Sequence, residues 1–335
     1  MDLVIIEPNP FTVFAGPNGA GKSNIFEAIA FWNALEKQKN ERSAIQDLIE
    51  LFGGLTHIRP KNGATNTFNF TISDSRFERI DILDSEKLSK NSRIKDKNQL
   101  YLAAIGKHAN NRLNVLFNQK MPENRFSQIT SSFSRVFINN SKAKKYNNNS
   151  PARINEDASN LENVLNRLFE NKSTKDKILE WMELFVPGLE DIRIEAPSLS
   201  ASNEILFKEK GLDSLLPKTL ISDGTYNILC LLAAVYQSDE PQFLCIEEPE
   251  NGLNPYVVRS LVDFFRAECM EKGHYVWLNT HSETLVKELQ PQELILVDKV
   301  NGETKVKQFK KDFDLHDLTM NEAWLSNALG GGIPW

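Results

Sequence analysis

The chain has 335 residues, 39 Lys+Arg and 45 Asp+Glu, giving a formal charge of −6. That is about two domains of chain, enough to build a hydrophobic core without a disulfide or metal staple. Hydrophobic residues at 41% and charged residues at 25% are ordinary for a soluble globular protein, and no apolar run approaches the ~20 residues of a membrane span.

In chain order, Leu3 to Ile6 reads as a strand and Pro8-Asn9-Pro10 as a turn. Phe11 to Ala15 is a second strand, Gly16 to Gly21 a glycine-rich loop, and Ser23 onward a helix that buries Ile25, Ile29 and Trp32. Strand-like pieces around Phe68 and Ile80 give way to an Asn- and Lys-rich region, within which 139–153 has the composition of a mobile loop. A helical piece over 160–187 follows, ended by Pro187-Gly188. Further on come a helix over Asp223–Gln237, a strand over Phe243–Ile246, a helix over Pro255–Cys269 and a strand over Tyr275–Thr280. The last three form a βαβ unit and predict parallel strands. Leu294 to Val297 is a strand, with a hairpin around Asn301-Gly302. The expected division is a head of residues 1–60 and 190–335 carrying an inserted subdomain over 61–189. The opening MDLVIIEPNP has no basic n-region or small-residue cleavage site, so no signal peptide is expected. The three cysteines, Cys230, Cys245 and Cys269, lack CxxC spacing, which fits a reducing cytoplasm and argues against a zinc site.

Four motifs carry chemistry. The first, 16-GPNGAGKS-23, fits G-x-x-x-x-G-K-[ST] between a strand and a helix, the setting of a phosphate-binding loop. Its candidate nucleotide-binding residues are Gly16, Asn18, Gly19, Gly21, Lys22, Ser23 and the following Asn24. Backbone N–H groups and a helix N-terminus cradle phosphates, Lys22 bridges them, and the Ser23 hydroxyl holds Mg²⁺. The second, 243-FLCIEEPE-250, ends an apolar strand in two carboxylates. Neighbouring residues at a strand end point different ways. Glu247 is therefore the candidate for the Mg²⁺ side, and Glu248 the candidate base for the attacking water. The third, 221-ISDGTYNILCLLAAVY-236, is a buried helix with Ser222 or Asp223 as N-cap and Gly224 for close approach. Its N-terminus is an anion-binding end with no obvious ligand in its own subunit. The fourth, 279-NTHSE-283, places His281 at a strand's carboxyl end, where doubly wound sheets bind ligands.

In this order, GPNGAGKSN, ISDGT, FLCIEEPENGLNP and NTHS resemble the ABC-type ATPases of the SMC/RecF/OLD-like superfamily. They are similar in particular to stand-alone bacterial AAA ATPases with an LSDGT-type signature and an EEPEN-type Walker B. The resemblance covers roughly residues 1–60 and 190–310. It implies an α/β fold, an ABC-ATPase P-loop head with a mixed sheet and an inserted, partly helical subdomain. It implies ATP and Mg²⁺ as ligands, and a homodimer or higher oligomer in which two heads sandwich two nucleotides. Ser222 and Gly224 of one subunit would then complete the partner's site, residues 251–255 would form the D-loop, and His281 would be the switch histidine. Catalysis would rest on Glu248, His281 and Lys22, with Ser23 and Glu247 on the metal. Asn254 departs from the histidine usual in these relatives, Ile221 replaces leucine, Gln46 is the Q-loop candidate, and a longer leading strand is expected before Pro8. Only 54 residues follow His281, too few for a nuclease domain. An effector, such as a nuclease, would come from a separate chain, as in bacterial antiphage systems. DNA repair of the RecF/SMC type is the alternative, and a transporter subunit fits less well.

The charge is unevenly spread. Lys87 to Arg153 carries 14 Lys+Arg against two acids, a local charge of +12, with Tyr101, Phe117, Phe126, Phe133, Phe137 and Tyr146 interleaved. A nucleic acid would be met by such a stretch. So would an acidic protein partner, while Lys/Asn richness on a solvated surface is the plain reading. No membrane partner is expected.

Overall fold

The computed structural model describes residues 9–37, 51, 67–74, 77–84, 99–105, 112–118, 132–138, 152–195, 203–326 and 328–329, and of the strands between 67 and 118 the backbone alone. The expected strand Leu3–Ile6, the candidate Gln46, the loop 139–151 and the Trp32 side chain lie outside the described residues.

Backbone contacts divide the chain into two compact units, one of residues 1–27 and 132–335 and one of residues 28–131. The first is built on a six-stranded sheet with the order β13-β12-β1-β11-β10-β6. These strands are β1 (Phe11–Ala15), β6 (Phe133–Val136), β10 (Phe243–Glu247), β11 (Tyr275–Thr280), β12 (Leu294–Val300) and β13 (Glu303–Gln308). All pair in parallel except the terminal β12–β13 hairpin. Its Asn301-Gly302 turn takes left-handed backbone at both residues, as a two-residue hairpin requires. β1 is buried at all five positions, which its apolar, β-branched and aromatic sequence permits in the middle of a parallel sheet.

Helix α1 (Lys22–Lys37) follows β1 directly. The expected helical piece 160–187 is two helices, α2 (Leu161–Phe169) and α3 (Lys172–Phe185). The break falls at Asn171, whose side chain accepts the amides of Ser173 and Thr174 and so starts a new helix. Both pack against α4 (Asp223–Tyr236), a core helix buried at every position from Asn227 to Tyr236. Between α2–α3 and α4 runs a three-stranded antiparallel sheet of β7 (Leu189–Glu195), β8 (Glu204–Glu209) and β9 (Leu216–Pro217). Helix α5 (Pro255–Lys272) opens on Pro255 with Asn254 as N-cap, its side chain accepting the Val257 amide at 3.0 Å, and closes on left-handed Gly273. The asparagine that departs from the family's histidine is thus a helix cap. Short helices α6 (Glu283–Lys287) and α7 (Met320–Leu325) complete the unit.

The second unit holds a four-stranded antiparallel sheet in the order β2-β3-β5-β4, from β2 (Thr67–Asp74), β3 (Phe77–Asp84), β4 (Gln99–Ile105) and β5 (Arg112–Asn118). β4 and β5 fall inside the Asn- and Lys-rich stretch where no strand was read. The expected insert ran from 61 to 189, whereas the compact unit ends at Ser131. Residues past it enter the other unit because β6 pairs with β10, Cys245 lying opposite Arg135.

Candidate functional site

Strand register sets the site. Ala15 pairs with Thr280 and Glu247 with Asn279, so the carboxyl ends of β1, β11 and β10 lie level. The glycine loop, Glu247-Glu248 and Asn279–His281 therefore emerge along one edge, where parallel α/β sheets bind ligands.

At Gly21, φ is +105°, and an added Cβ would sit 2.4 Å from the Thr304 hydroxyl oxygen. The loop thus needs glycine there both for its backbone and for its close approach to the β13 strand. Lys22 is buried, and its ammonium donates to the carbonyls of Gly16 at 2.7 Å and Pro17 at 3.2 Å. Burial holds it below the ordinary lysine range, against the pull of the Glu248, Glu250 and Glu247 carboxylates. The Lys22 ammonium therefore lies within the field of three carboxyl groups. Asn18, Gly19 and Asn24 are exposed along the loop and first helical turn.

The adjacent carboxylates face different partners. Glu247 is buried. Its Oε2 accepts from the Ser23 hydroxyl at 2.6 Å and from the Asn279 amide at 3.2 Å. Its Oε1 accepts from Arg135, through Nε at 2.7 Å and through a second guanidinium nitrogen. Arg135 also meets Glu156 at 3.1 Å and Glu27 at 3.8 Å. Burial works against its charge, but Glu247, Glu156 and Glu27 outweigh it and hold Arg135 above its ordinary value. Glu248 takes left-handed backbone, φ +48°, a conformation that costs a non-glycine residue about 1 kcal/mol or more. The turn sends its side chain away from Glu247 and onto His281, with Nδ1 to Oε2 at 2.7 Å. Glu250 joins this pair: its carboxylate accepts from the Thr280 hydroxyl. Burial, then the Glu248 charge, pushes it up to about 8.

The residues present fit the chemistry of the expected ligands. A glycine cradle at a helix start suits phosphates. The Ser23 and Glu247 oxygens, 2.6 Å apart, are the hard donors that Mg²⁺ takes.

Ser222 and Gly224 lie elsewhere in the unit. The exposed Ser222 caps α4, its hydroxyl accepting the Thr225 amide at 3.1 Å. A Cβ on Gly224 would meet the Gly252 carbonyl oxygen at 2.4 Å, and the Asn227 side chain donates to the Asn251 carbonyl at 2.9 Å. The start of α4 is thus seated on the 251–253 loop.

The residues 11–287 match the family model described as "AAA domain, putative AbiEii toxin, Type IV TA system". The chain belongs to this AAA-domain family. No curated protein matches it significantly. Among solved structures, an SMC head bound to the C-winged helix domain of ScpA aligns with a TM-score of 0.51 at 16% identity, over 92% of this chain and 93% of that one. The SMC head domain from Thermotoga maritima gives 0.48 at 13% identity, over 92% and 93%. The first likeness is one of fold, and it agrees with the mixed six-stranded sheet: this AAA-family member has the P-loop architecture of an SMC or ABC-type head. Among the described residues no helix is long and apolar enough to cross a membrane.

Four participants in this AAA-domain site escaped the reading of motifs. Asn279 and Glu250 stand inside quoted motifs, Asn279 near a strand's carboxyl end and Glu250 in the turn that follows β10. Arg135 and Glu156 carry no local signal. Arg135 was counted in the basic stretch, yet its side chain is buried on Glu247. Arg153, also counted, donates to the Phe133 carbonyl at 3.3 Å, and burial holds it below its ordinary value. Phe133 is buried edge-on to Phe243, 5.4 Å between ring centroids. Arg135 and Phe133 are spent inside the fold and are withdrawn from any nucleic-acid surface, while Arg153 is half-buried.

Proposed function

We propose that this AAA-family chain is a Mg²⁺-dependent ATPase that works as a nucleotide-bridged pair of heads. The observation that carries this is the Ser23–Glu247 contact beside the Glu248–His281 pair, on one sheet edge with Lys22. Ser23 and Glu247 would hold Mg²⁺, which supplies charge neutralisation on the phosphates. The loop amides and Lys22 orient the triphosphate. Glu248 takes the proton of the attacking water as its oxygen bonds the γ-phosphorus and the bond to the ADP oxygen breaks. His281 holds Glu248 in place and reaches solvent. Ser222 of a second head contacts the same γ-phosphate, a role for which its exposure qualifies it. Phosphate release that needs Mg²⁺ and stops with a chelator is the expected result; no release in either condition would remove the reading.

The setting we infer is bacterial defence, with a separate effector protein. The family description, which names a toxin–antitoxin system, supports it. DNA repair is the alternative, through nucleic-acid binding by Lys87–Arg153. That reading loses the buried Arg135 and Phe133 from its footprint. Salt-titrated binding to duplex DNA with and without ATP tests the nucleic-acid partner: affinity that falls steeply with salt supports a head pair that binds DNA, in repair or in defence, and no binding leaves a nucleotide-controlled scaffold for the effector.

A further inference from the structure

We propose that Arg135 is a positioning residue of the nucleotide site, the clamp that fixes the Glu247 carboxylate so that one oxygen always faces Ser23. The inference rests on the ATPase reading above and deepens it.

The carboxylate of Glu247 has four side-chain donors, and they are sorted by oxygen. Oε1 takes both nitrogens of Arg135; Oε2 takes Ser23 and Asn279. Both guanidinium N–H groups converge on Oε1 and hold that oxygen, while Ser23 and Asn279 hold Oε2, so the carboxylate is fixed through both of its oxygens. Arg135 therefore occupies the oxygen turned away from Ser23 and leaves the other aligned with the hydroxyl. Its own placement is fixed in turn. It lies on β6 opposite Cys245, two residues before Glu247 on β10. Glu156 holds it from the segment after β6, and Glu27 from α1, one helical turn beyond Ser23. Helix, strand and loop are tied through one side chain, which is 8% exposed.

Three carboxylates, of Glu247, Glu156 and Glu27, face the Arg135 guanidinium. A salt bridge serving packing alone needs no serine on its second oxygen. With Oε2 already aimed at the Ser23 hydroxyl, the pair is set to receive a divalent cation without reorganising.

The test separates clamp from strut. Binding of ATP to the Arg135→Gln protein is measured by calorimetry with Mg²⁺ and with EDTA, beside turnover and thermal melting. In EDTA the variant should bind ATP within twofold of the parent, since the glycine loop is untouched. With Mg²⁺ it should lose the parent's metal-dependent gain in affinity by about fivefold or more, and kcat should fall about tenfold or more with KM changed far less. Arg135→Lys, which keeps the charge and loses the paired geometry, should recover part of both and decides the matter if Arg135→Gln does not fold. A folded variant with parental Mg²⁺ gain and kcat overturns the clamp. So does equal loss of binding in Mg²⁺ and EDTA together with a lowered melting point, the mark of a strut. A parent that neither binds nor hydrolyses ATP overturns instead the ATPase reading on which the clamp stands.

Discussion

Helices α1 and α4 both begin at a glycine-bearing turn, and they begin differently. α1 follows Gly21, which has no side chain to cap it, and its first turn carries no acid. α4 follows Ser222, which takes the Thr225 amide, and its first turn carries Asp223. Free amides and the helix dipole attract anions, while a cap and an acid reduce that attraction. α1 is thus equipped to hold a phosphate unaided. α4 has satisfied part of its own start, and what it presents outward is an exposed serine hydroxyl. In the proposed head pair, the first is the cradle of its own site and the second a contributor to another's.

Substitutions can break this contrast. The largest effect is expected where the two roles meet. Glu248→Gln should lower kcat by about 10²–10³-fold and leave ATP bound, so that ATP shifts the protein to a lasting dimer in light scattering. A parental rate would remove Glu248 as the base. Lys22→Ala strikes the α1 side alone, and ATP affinity in titration calorimetry should fall about tenfold or more, through a loss of charge-assisted bonds. Gly224→Ala strikes the α4 side. Its methyl would press on the Gly252 carbonyl, costing about 1–3 kcal/mol of stability, and ATP-dependent dimerisation should weaken while monomeric nucleotide binding stays. If ATP binding falls equally in both variants, the division of labour between the helices is wrong.

The smallest effect is expected at Glu250. Its folded value of about 8 lies above the ordinary 4.5. Between these values the folded protein holds a proton that the unfolded chain releases, so stability falls as pH rises through that window. Glutamine mimics the protonated form. Glu250→Gln should melt with the parent near pH 5 and a few degrees above it near pH 9, by differential scanning fluorimetry. Equal melting at both would show that Glu250 carries no such strain.

Legibility followed sequence distance. The glycine loop, Glu247-Glu248 and 279-NTHS-282 are contiguous, and the strands that lead into them came within a residue of the observed bounds. Such segments encode their own geometry through turn glycines and uninterrupted apolar runs. The separation of Glu247 from Glu248 comes from the left-handed turn at Glu248, just beyond the strand, which alternation along a strand does not encode. Arg135 was not legible either. Its partner lies 112 residues away, and a composition count cannot tell a buried guanidinium from a solvated one. β4 and β5 were hidden by the Asn and Lys around them, because pairing is between segments and leaves little trace in either alone. Asn171 was passed over within the helical piece, although asparagine is a strong helix start.

The seat of α4 has a mechanical consequence. Between Gly224 and Gly252 there is not room for a methyl group, and Asn227 bonds the chain one residue before Gly252. Close-packed surfaces of this kind do not slide by fractions of an ångström. The strained Glu248 stands four residues upstream of Gly252. In the proposed head pair, a change in its backbone would reach Ser222 through that loop, and the chemistry of one head would be felt at the edge it offers its neighbour.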